Sequence, residues 1–237
     1  METPMSRVLS KLGLGRQPSV LAKTVRAENL TYLSDRKMIQ LERILDELKR
    51  QSVPGSYVEF GVALGGSAII IAKVAAARGS VFHGYDVFGM IPEPTSDKDD
   101  AHSKDRYQTI VSGASEGIGD DTYYGYLDDL YERVCDTMTR HGCAPVAGRI
   151  ELHKGLFEDT VPGVDMGQIA FAHIDCDWYD PVVYCLDIAS KKLAPGGAIL
   201  LDDYHDYGGC KTATDEFLAA HPEFDLKPGR NPYLVRR

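Results

Sequence analysis

The chain has 237 residues, 43% hydrophobic and 26% charged, which suits one globular domain over 1–237 and excludes a disordered or collagen-like protein. Lysine and arginine total 26 against 35 aspartate and glutamate residues, so the formal net charge is −9. Such an acidic chain is repelled by phosphate backbones and anionic lipid, and we expect neither nucleic acid nor membrane insertion among its interactions.

The cysteine content and the apolar runs predict where the protein resides. Five cysteines without C-x-x-C spacing argue against both a disulfide framework and a structural zinc site. No apolar run approaches the roughly 20 residues that cross a bilayer, and the N-terminus shows no secretory signal. We therefore expect a cytoplasmic location.

The first elements predict the opening of a parallel α/β sheet. Residues 1–33 have weak periodicity and are expected to form an N-terminal arm or lid, and a helix follows with Ser34 as its N-cap. A short apolar strand at 57–60 leads into a glycine turn at 61–66 and an apolar helix at 67–78. Strand, glycine turn and helix are typical of a βαβ unit, which requires a parallel sheet.

The same alternation continues to the end of the chain. Further strands are predicted at 81–85, 149–153, 169–174 and 198–201, helices at 181–193 and 212–220, and a closing antiparallel pair at 224–226 and 233–235. These elements predict an α/β fold with a mostly parallel sheet.

A long insertion at 87–148 separates the second and third strands. Its first part, 92–105, is polar and acidic, and a helix is predicted within 122–141. Tyrosines at 123, 124 and 126 suit either a pocket wall or helix packing. Long insertions in compact domains are often lids, so we expect this one to cover a site at the carboxyl ends of the strands.

The glycine turn and two nearby carboxylates indicate a nucleotide-like ligand. The turn is not the dinucleotide fingerprint, because Ala63 occupies the second glycine position. Glu59 lies inside an apolar strand, where it needs a cation or hydrogen-bond donors, and a ligand amino group is one such partner. Asp86 ends the second strand, where a carboxylate either binds ribose hydroxyls or caps a turn. Together they suggest an adenosine-containing ligand with a cationic or amino-acid end.

Acidic residues follow two neighbouring strands. The run 173–177 contains Asp175 and Asp177, and Asp202-Asp203 is soon followed by His205. Because adjacent strands lie about 5 Å apart, we expect Asp175 to lie close to Asp202 and Asp203. Carboxylates brought together in this way either bind a divalent cation such as Mg²⁺ or cap the helices that follow. Spacing does not decide whether Asp177 or His205 faces a substrate.

Several motifs in order resemble the macrocin O-methyltransferase family. They cover roughly residues 30–220 and are Tyr32-Leu33-Ser34, Val53-Pro54-Gly55, Val58-Glu59-Phe60-Gly61-Val62 with Gly65-Gly66, the run 155–160, His173-Ile174-Asp175-Cys176-Asp177 and Asp202-Asp203-Tyr204-His205. The resemblance implies a Rossmann-like class I methyltransferase fold with a seven-stranded sheet and helices on both faces. It also implies S-adenosylmethionine and Mg²⁺ as cofactors for the methylation of a sugar hydroxyl.

The resemblance also implies residue roles. The residues assigned to the cofactor are Glu59, Gly61, Gly65, Gly66, Ser67, Asp86 and Asp175, with Asp86 on the ribose. Asp175, Asp202 and Asp203 are implied as metal ligands, and Asp177 as general base with His205 beside it.

The acceptor is left open because the insertion at 87–148 differs from the antibiotic-tailoring members. A natural-product glycoside and an oligo- or polysaccharide such as a mannoside are both consistent with the motifs, and we expect a homodimer. Alternative interpretations are a Mg²⁺-dependent catechol or phenol methyltransferase, a nicotinamide-dependent oxidoreductase and a catalytically silent binding module.

Overall fold

Seven strands form one sheet in the computed structural model, which describes residues 16–237. The part of the predicted arm at 1–15 lies outside the described residues. The strands are β1 Ser56–Phe60, β2 Phe82–Asp86, β3 Ile150–Lys154, β4 Ile169–Ile174, β5 Leu193–Leu201, β6 Phe224–Lys227 and β7 Tyr233–Arg236. Their order is β3-β2-β1-β4-β5-β7-β6, with β1 to β5 parallel and β6 and β7 antiparallel to their neighbours. The predicted sheet and its closing antiparallel pair are confirmed.

Helices connect these strands. In residues 16–237 they are α1 Val20–Ala27, α2 Asp35–Arg50, α3 Gly66–Ala77, α4 Ala101–Val111, α5 Leu130–Arg140, α6 Phe157–Thr160, α7 Tyr179–Lys192 and α8 Gly208–Ala220, with a 3-10 turn at Tyr124–Tyr126. The Ser34 side chain accepts a hydrogen bond from the Lys37 N–H and caps α2 as predicted. The helix expected within 122–141 is shorter than that range, because its first part forms the 3-10 turn.

Helices pack on both faces of the sheet, as predicted. Alternation along β1 puts Tyr57 into the apolar cluster under α2 and α3, and Val58 and Phe60 into the cluster under α7 and α8. Glu59 and, on β4, His173 therefore share the face that carries α2 and α3. This alternation brings two ionisable side chains into the interior beneath the glycine turn.

The acidic part of the insertion is bonded to the starts of α7 and α8. The Tyr179 N–H donates to Asp99 Oδ1 at 2.8 Å, and the Gly208 N–H donates to Asp100 Oδ2 at 3.1 Å. Trp178 Nε1 donates to the Pro92 carbonyl oxygen at 2.9 Å. Helix N-termini favour carboxylates, so the acidic composition of this segment anchors it beside the sheet.

Two other sequence expectations are tested by the described residues. All five cysteines are free thiols, which confirms that no disulfide framework exists. Within residues 16–237, every helix is too short or too polar to cross a bilayer.

Candidate active site

A cavity of about 740 Å³ lies at the carboxyl ends of the parallel strands. Its wall includes the glycine turn after β1, Asp86 at the end of β2 and the segments that follow β4 and β5. The insertion contributes Arg106, Tyr123 and Tyr124 to the same wall. The volume falls within the range of about 300–1,000 Å³ that small-molecule sites occupy.

The glycine turn is shaped by contacts within the chain. Gly61 has a φ of +95°, and a Cβ built there lies 1.8 Å from the Asp175 carbonyl oxygen. Glycine is therefore required for β1 to pass the end of β4. The Val62 and Ala63 N–H groups donate to Asp86, and the Gly66 N–H donates to the Leu30 carbonyl oxygen. Asp86 and the segment before α2 thus accept the hydrogen bonds of these three N–H groups.

Not every residue of the turn reaches the cavity. Gly61 and Ser67 line it, whereas Gly65 and Gly66 lie outside its wall. Gly65 has a φ of +89° and occupies the N-cap position of α3, so its role in the structure is to begin that helix.

Asp86 is the buried carboxylate that organises the turn. Its Oδ2 accepts the Val62 and Ala63 N–H groups at 2.8 Å each, and its Oδ1 accepts the Phe88 N–H at 2.6 Å. Burial raises the pKa of Asp86, while these three hydrogen bonds lower it. These hydrogen bonds show that Asp86 caps the turn. Asp86 also lines the cavity, and its contact with ribose stays a prediction.

Glu59 receives its partner from the neighbouring strand. The register pairs Glu59 with His173, and Glu59 Oε1 lies 2.8 Å from His173 Nδ1 with both side chains fully buried. Burial raises the pKa of Glu59, while the hydrogen bond and the charge of His173 lower it. Burial lowers the pKa of His173, but the Asp202 carboxylate, 3.8 Å from Nε2, and the hydrogen-bonded Glu59 carboxylate outweigh it and raise the pKa to about 10. The cation expected beside Glu59 is thus an imidazolium of the same chain.

Three carboxylates converge beyond β4 and β5. Asp175, Asp177 and Asp203 each offer an oxygen, and these atoms lie within 4.8 Å of one another. Burial, followed by the charges of neighbouring aspartates, raises the pKa of Asp175 and Asp203 well above the usual value. Burial also raises the pKa of Asp177 to about 6. The Asp177 backbone has a φ of 59°, and its N–H donates to Asp203 Oδ2 at 3.2 Å.

Asp202 has a different environment from these three. Lys37 Nζ forms a salt bridge with Asp202 Oδ2, and Asn231 Nδ2 donates to Oδ1. His173 Nε2 lies 3.8 Å from Oδ1. Burial raises the pKa of Asp202, but His173 and Lys37 outweigh it and the net shift is downward. Asp202 is therefore an ionised carboxylate whose charge is balanced by Lys37 and His173. It forms a group with His173 and Asp175, and Asp175 also belongs to the group of three aspartates.

The two predicted catalytic residues lie in different places. Asp177 lines the cavity, whereas His205 is exposed, contacts the Tyr204 ring and lies outside the cavity wall. The tyrosines of the insertion also differ. Tyr123 and Tyr124 line the cavity, while the Tyr126 hydroxyl donates to the Ile110 carbonyl oxygen at 2.7 Å.

Two cations of this site, Lys37 and Arg106, are absent from the sequence-based predictions. Lys37 lines the cavity from α2. It lies four residues before Leu41, on the apolar face of that helix, and a charged residue at such a position is a sequence signal for a buried ionic contact. Arg106 lines the cavity from α4, and its charge lowers the pKa of Asp177. Its position depends on the path of the insertion, so no local pattern signals it.

Comparison with known proteins places this geometry among methyltransferases. Residues 22–223 match the family model described as Macrocin-O-methyltransferase. The chain is 27% identical over 204 residues to the 8-demethyl-8-(2,3-dimethoxy-alpha-L-rhamnosyl)-tetracenomycin-C 4'-O-methyltransferase of Streptomyces olivaceus, covering 81% of this chain and 72% of that protein. It is 26% identical over 194 residues to the mycinamicin III 3''-O-methyltransferase of Micromonospora griseorubida, covering 81% and 71%.

Solved structures share the fold. The O-methyltransferase NovP superposes with a TM-score of 0.72 at 21% identity, over 91% of this chain and 88% of that one. The calicheamicin methyltransferase CalS11 superposes with a TM-score of 0.60 at 22% identity, over 100% and 94%. The predicted class I methyltransferase fold is thereby confirmed.

Proposed function

The chain belongs to the macrocin-O-methyltransferase family and is an S-adenosylmethionine-dependent O-methyltransferase, and from this premise we propose that it methylates a sugar hydroxyl of a glycoside with the help of Mg²⁺. The observation that carries the proposal is the convergence of Asp175, Asp177 and Asp203 on one wall of the cavity. The names of two relatives, which refer to a rhamnosyl tetracenomycin and to mycinamicin, support a glycoside acceptor.

The cavity suits a cationic cofactor. S-adenosylmethionine supplies, when bound, an electrophilic methyl group on a positively charged sulfur. We assign its binding to Gly61, Ser67 and Asp86, which line the cavity, and to Glu59 beneath the turn. Glu59 Oε2 is buried without a hydrogen-bond partner within residues 16–237, and Ser67 lies close enough to lower the pKa of Glu59.

The acidic group suits a hard divalent cation. Its donors are all carboxylate oxygens, which favour Mg²⁺ over Zn²⁺, and burial together with mutual repulsion raises the pKa values of Asp175 and Asp203. We assign the metal to Asp175 and Asp203 of this group and to Asp202, which lies beside Asp175. Mg²⁺ supplies, when bound, a Lewis acid that lowers the pKa of an acceptor hydroxyl. Lys37, which shares Asp202 here, retains Asp206 as a second partner at 2.8 Å.

Asp177 is proposed to accept the proton of the acceptor hydroxyl at its carboxylate. With a pKa of about 6 it is mostly ionised at neutral pH, and the nearby charge of Arg106 favours the ionised form. Its hydrogen bond to Asp203 fixes the backbone that carries it. Trp178 and the insertion close the wall beside Asp177, so they limit the access of water.

The cytoplasmic location and the homodimer remain parts of the proposal. Five free thiols suit a reducing compartment. Light scattering after size exclusion tests the dimer.

Calorimetric titration with S-adenosylhomocysteine and transfer of labelled methyl groups test the function. The panel holds rhamnosides, mannosides and catechols, each assayed with Mg²⁺ and with chelator. Methylation of a glycoside that stops on chelation supports the proposal, whereas methylation of catechols alone refutes the sugar acceptor. Asp177→Asn should bind the cofactor product and lose turnover, while Asp187→Asn, an exposed substitution on α7, should match the wild type.

A further inference from the structure

Two imidazoles and a carboxylate converge on β2 and β3, away from the acidic group. His83 lies on β2, Glu151 and His153 lie on β3, and the register pairs His83 with Glu151 and Tyr85 with His153. Registered partners project from the same face, so the three side chains meet there. His83 Nδ1 lies 3.3 Å from His153 Nε2 and 3.5 Å from Glu151 Oε2, which is 3.7 Å from His153 Nε2.

These separations match the ligand shell of a metal ion. A triangle with these sides has a point about 2.0 Å from all three atoms, which is the length of Zn–N and Zn–O bonds. A tetrahedral zinc ion lies slightly outside the plane of three such ligands and leaves its fourth position for water. Two imidazoles with one carboxylate form a donor set that suits Zn²⁺, whereas Mg²⁺ prefers oxygen alone.

Neighbouring groups fix two of the three ligands. Glu151 Oε1 accepts the Gly148 N–H at 2.6 Å, which leaves Oε2 facing both imidazoles. The His153 ring stacks on Tyr85 with centroids 4.4 Å apart. Burial lowers the pKa of His83 and of His153 and so favours the neutral imidazoles that ligate metals. Second contacts of this kind orient metal ligands in proteins.

We propose that His83, Glu151 and His153 bind one Zn²⁺ ion, which fastens β3 at the edge of the sheet to β2. The side chains of His153 and Glu151 are 16% and 26% exposed, so the ion has access from solvent. The site is separate from the proposed Mg²⁺ site. Along β2, His83 stands about 10 Å from Asp86 at the cavity.

Zinc titration of the untagged full chain in millimolar Mg²⁺ tests the proposal, with a chromophoric chelator as competitor. We expect one Zn²⁺ per chain and a rise in Tm of roughly 5 °C at a hundredfold excess over Kd. His153→Gln and Glu151→Gln, both at partly exposed positions, should weaken zinc binding at least about tenfold and remove the Tm rise.

Two control variants locate the ion. His141→Gln removes another imidazole that contacts a glutamate, His141 Nε2 being 2.9 Å from Glu28 Oε2, and should leave zinc binding unchanged. Asp203→Asn should also retain it. Zinc binding that survives His153→Gln and fails in Asp203→Asn overturns the proposal and places the ion among the aspartates. Absence of binding to folded wild type overturns it as well. The Co²⁺ form should show the intense visible absorption of a tetrahedral site, and its absence argues against three protein ligands.

Discussion

Lys37→Met removes the ammonium that compensates Asp202. Lys37 and Asp202 are 8% and 5% exposed, and Lys37 Nζ also lies 3.1 Å from the Asp202 carbonyl oxygen and 2.8 Å from Asp206. Methionine keeps the apolar stem of the lysine, so the change isolates the charge. The variant leaves Asp202 with Asn231 and His173, close to the raised-pKa carboxylates of Asp175 and Asp203.

The expected loss of unfolding free energy is about 3–5 kcal/mol in chelator, the usual effect of removing one partner of a buried ion pair. The side chain of Asp206 is 33% exposed and rehydrates, so it adds little. The pKa of Lys37 is raised, so its contribution to the free energy of unfolding is lost only at a pH above the usual pKa range of lysine. The pKa of Asp202 is lowered, so its contribution to the free energy of unfolding is lost only at acidic pH. The part of the loss that comes from the Lys37–Asp202 pair should therefore be constant between about pH 5 and 9, and the total loss should grow above about pH 6, because Lys37 also lowers the pKa of Asp177.

Urea unfolding followed by circular dichroism measures this loss, with Lys191→Met as the matched control. Lys191 forms an exposed i,i+4 pair with Asp187, so its substitution should lower the unfolding free energy by less than about 1 kcal/mol. Mg²⁺ should restore part of the stability of Lys37→Met, since a bound divalent cation compensates the same carboxylates. A loss as small as that of Lys191→Met refutes the argument that Lys37 holds this cluster together.

Three further predictions address the site. Asp177→Asn should lower turnover by about 10²–10⁴-fold with unchanged affinity for S-adenosylhomocysteine, and turnover near that of the wild type removes Asp177 as the base. Gly61→Ala should lower Tm much more than Gly79→Ala. Both glycines have a positive φ, but only a Cβ at Gly61 would clash with backbone, since it would lie 1.8 Å from the Asp175 carbonyl oxygen. Equal decreases in Tm would contradict this reasoning. Mg²⁺ affinity should fall as pH drops, because burial and neighbouring aspartates raise the pKa values of the assigned ligands Asp175 and Asp203, so protons compete with the metal. Calorimetry in two buffers should then detect proton release on binding, and the absence of release counts against Asp175 and Asp203 as metal ligands.

Features set by local pattern or by strand pairing could be predicted from the sequence. The Ser34 cap, the βα alternation and the closing antiparallel pair depend on residues close in the chain. Asp175 and Asp203 follow strands that pair in parallel, so their proximity follows from topology alone.

Features set by loop conformation and distant contacts could not be predicted. Lys37 reaches Asp202 from 165 residues away, and Arg106 reaches the cavity from inside the insertion. His205 turns outward because of the loop after β5. Glu59 was correctly seen to need a partner, but its pairing with His173 depends on the register of β1 against β4, which the sequence does not specify.

The charges around the site support a divalent cation more strongly than any single contact does. Five carboxylates lie at or beside the carboxyl ends of β1, β4 and β5, namely Glu59, Asp175, Asp177, Asp202 and Asp203. The cations facing them are the His173 imidazolium, Lys37 and Arg106. Asp86 is stabilised by three backbone N–H groups, and Asp206 is matched by Arg230. Five carboxylates therefore face three cations, and burial together with this excess of acidic groups raises the pKa values of Asp175, Asp177 and Asp203. One Mg²⁺ ion removes that excess, so metal binding should lower all three pKa values and leave Asp177 ionised as a base at neutral pH.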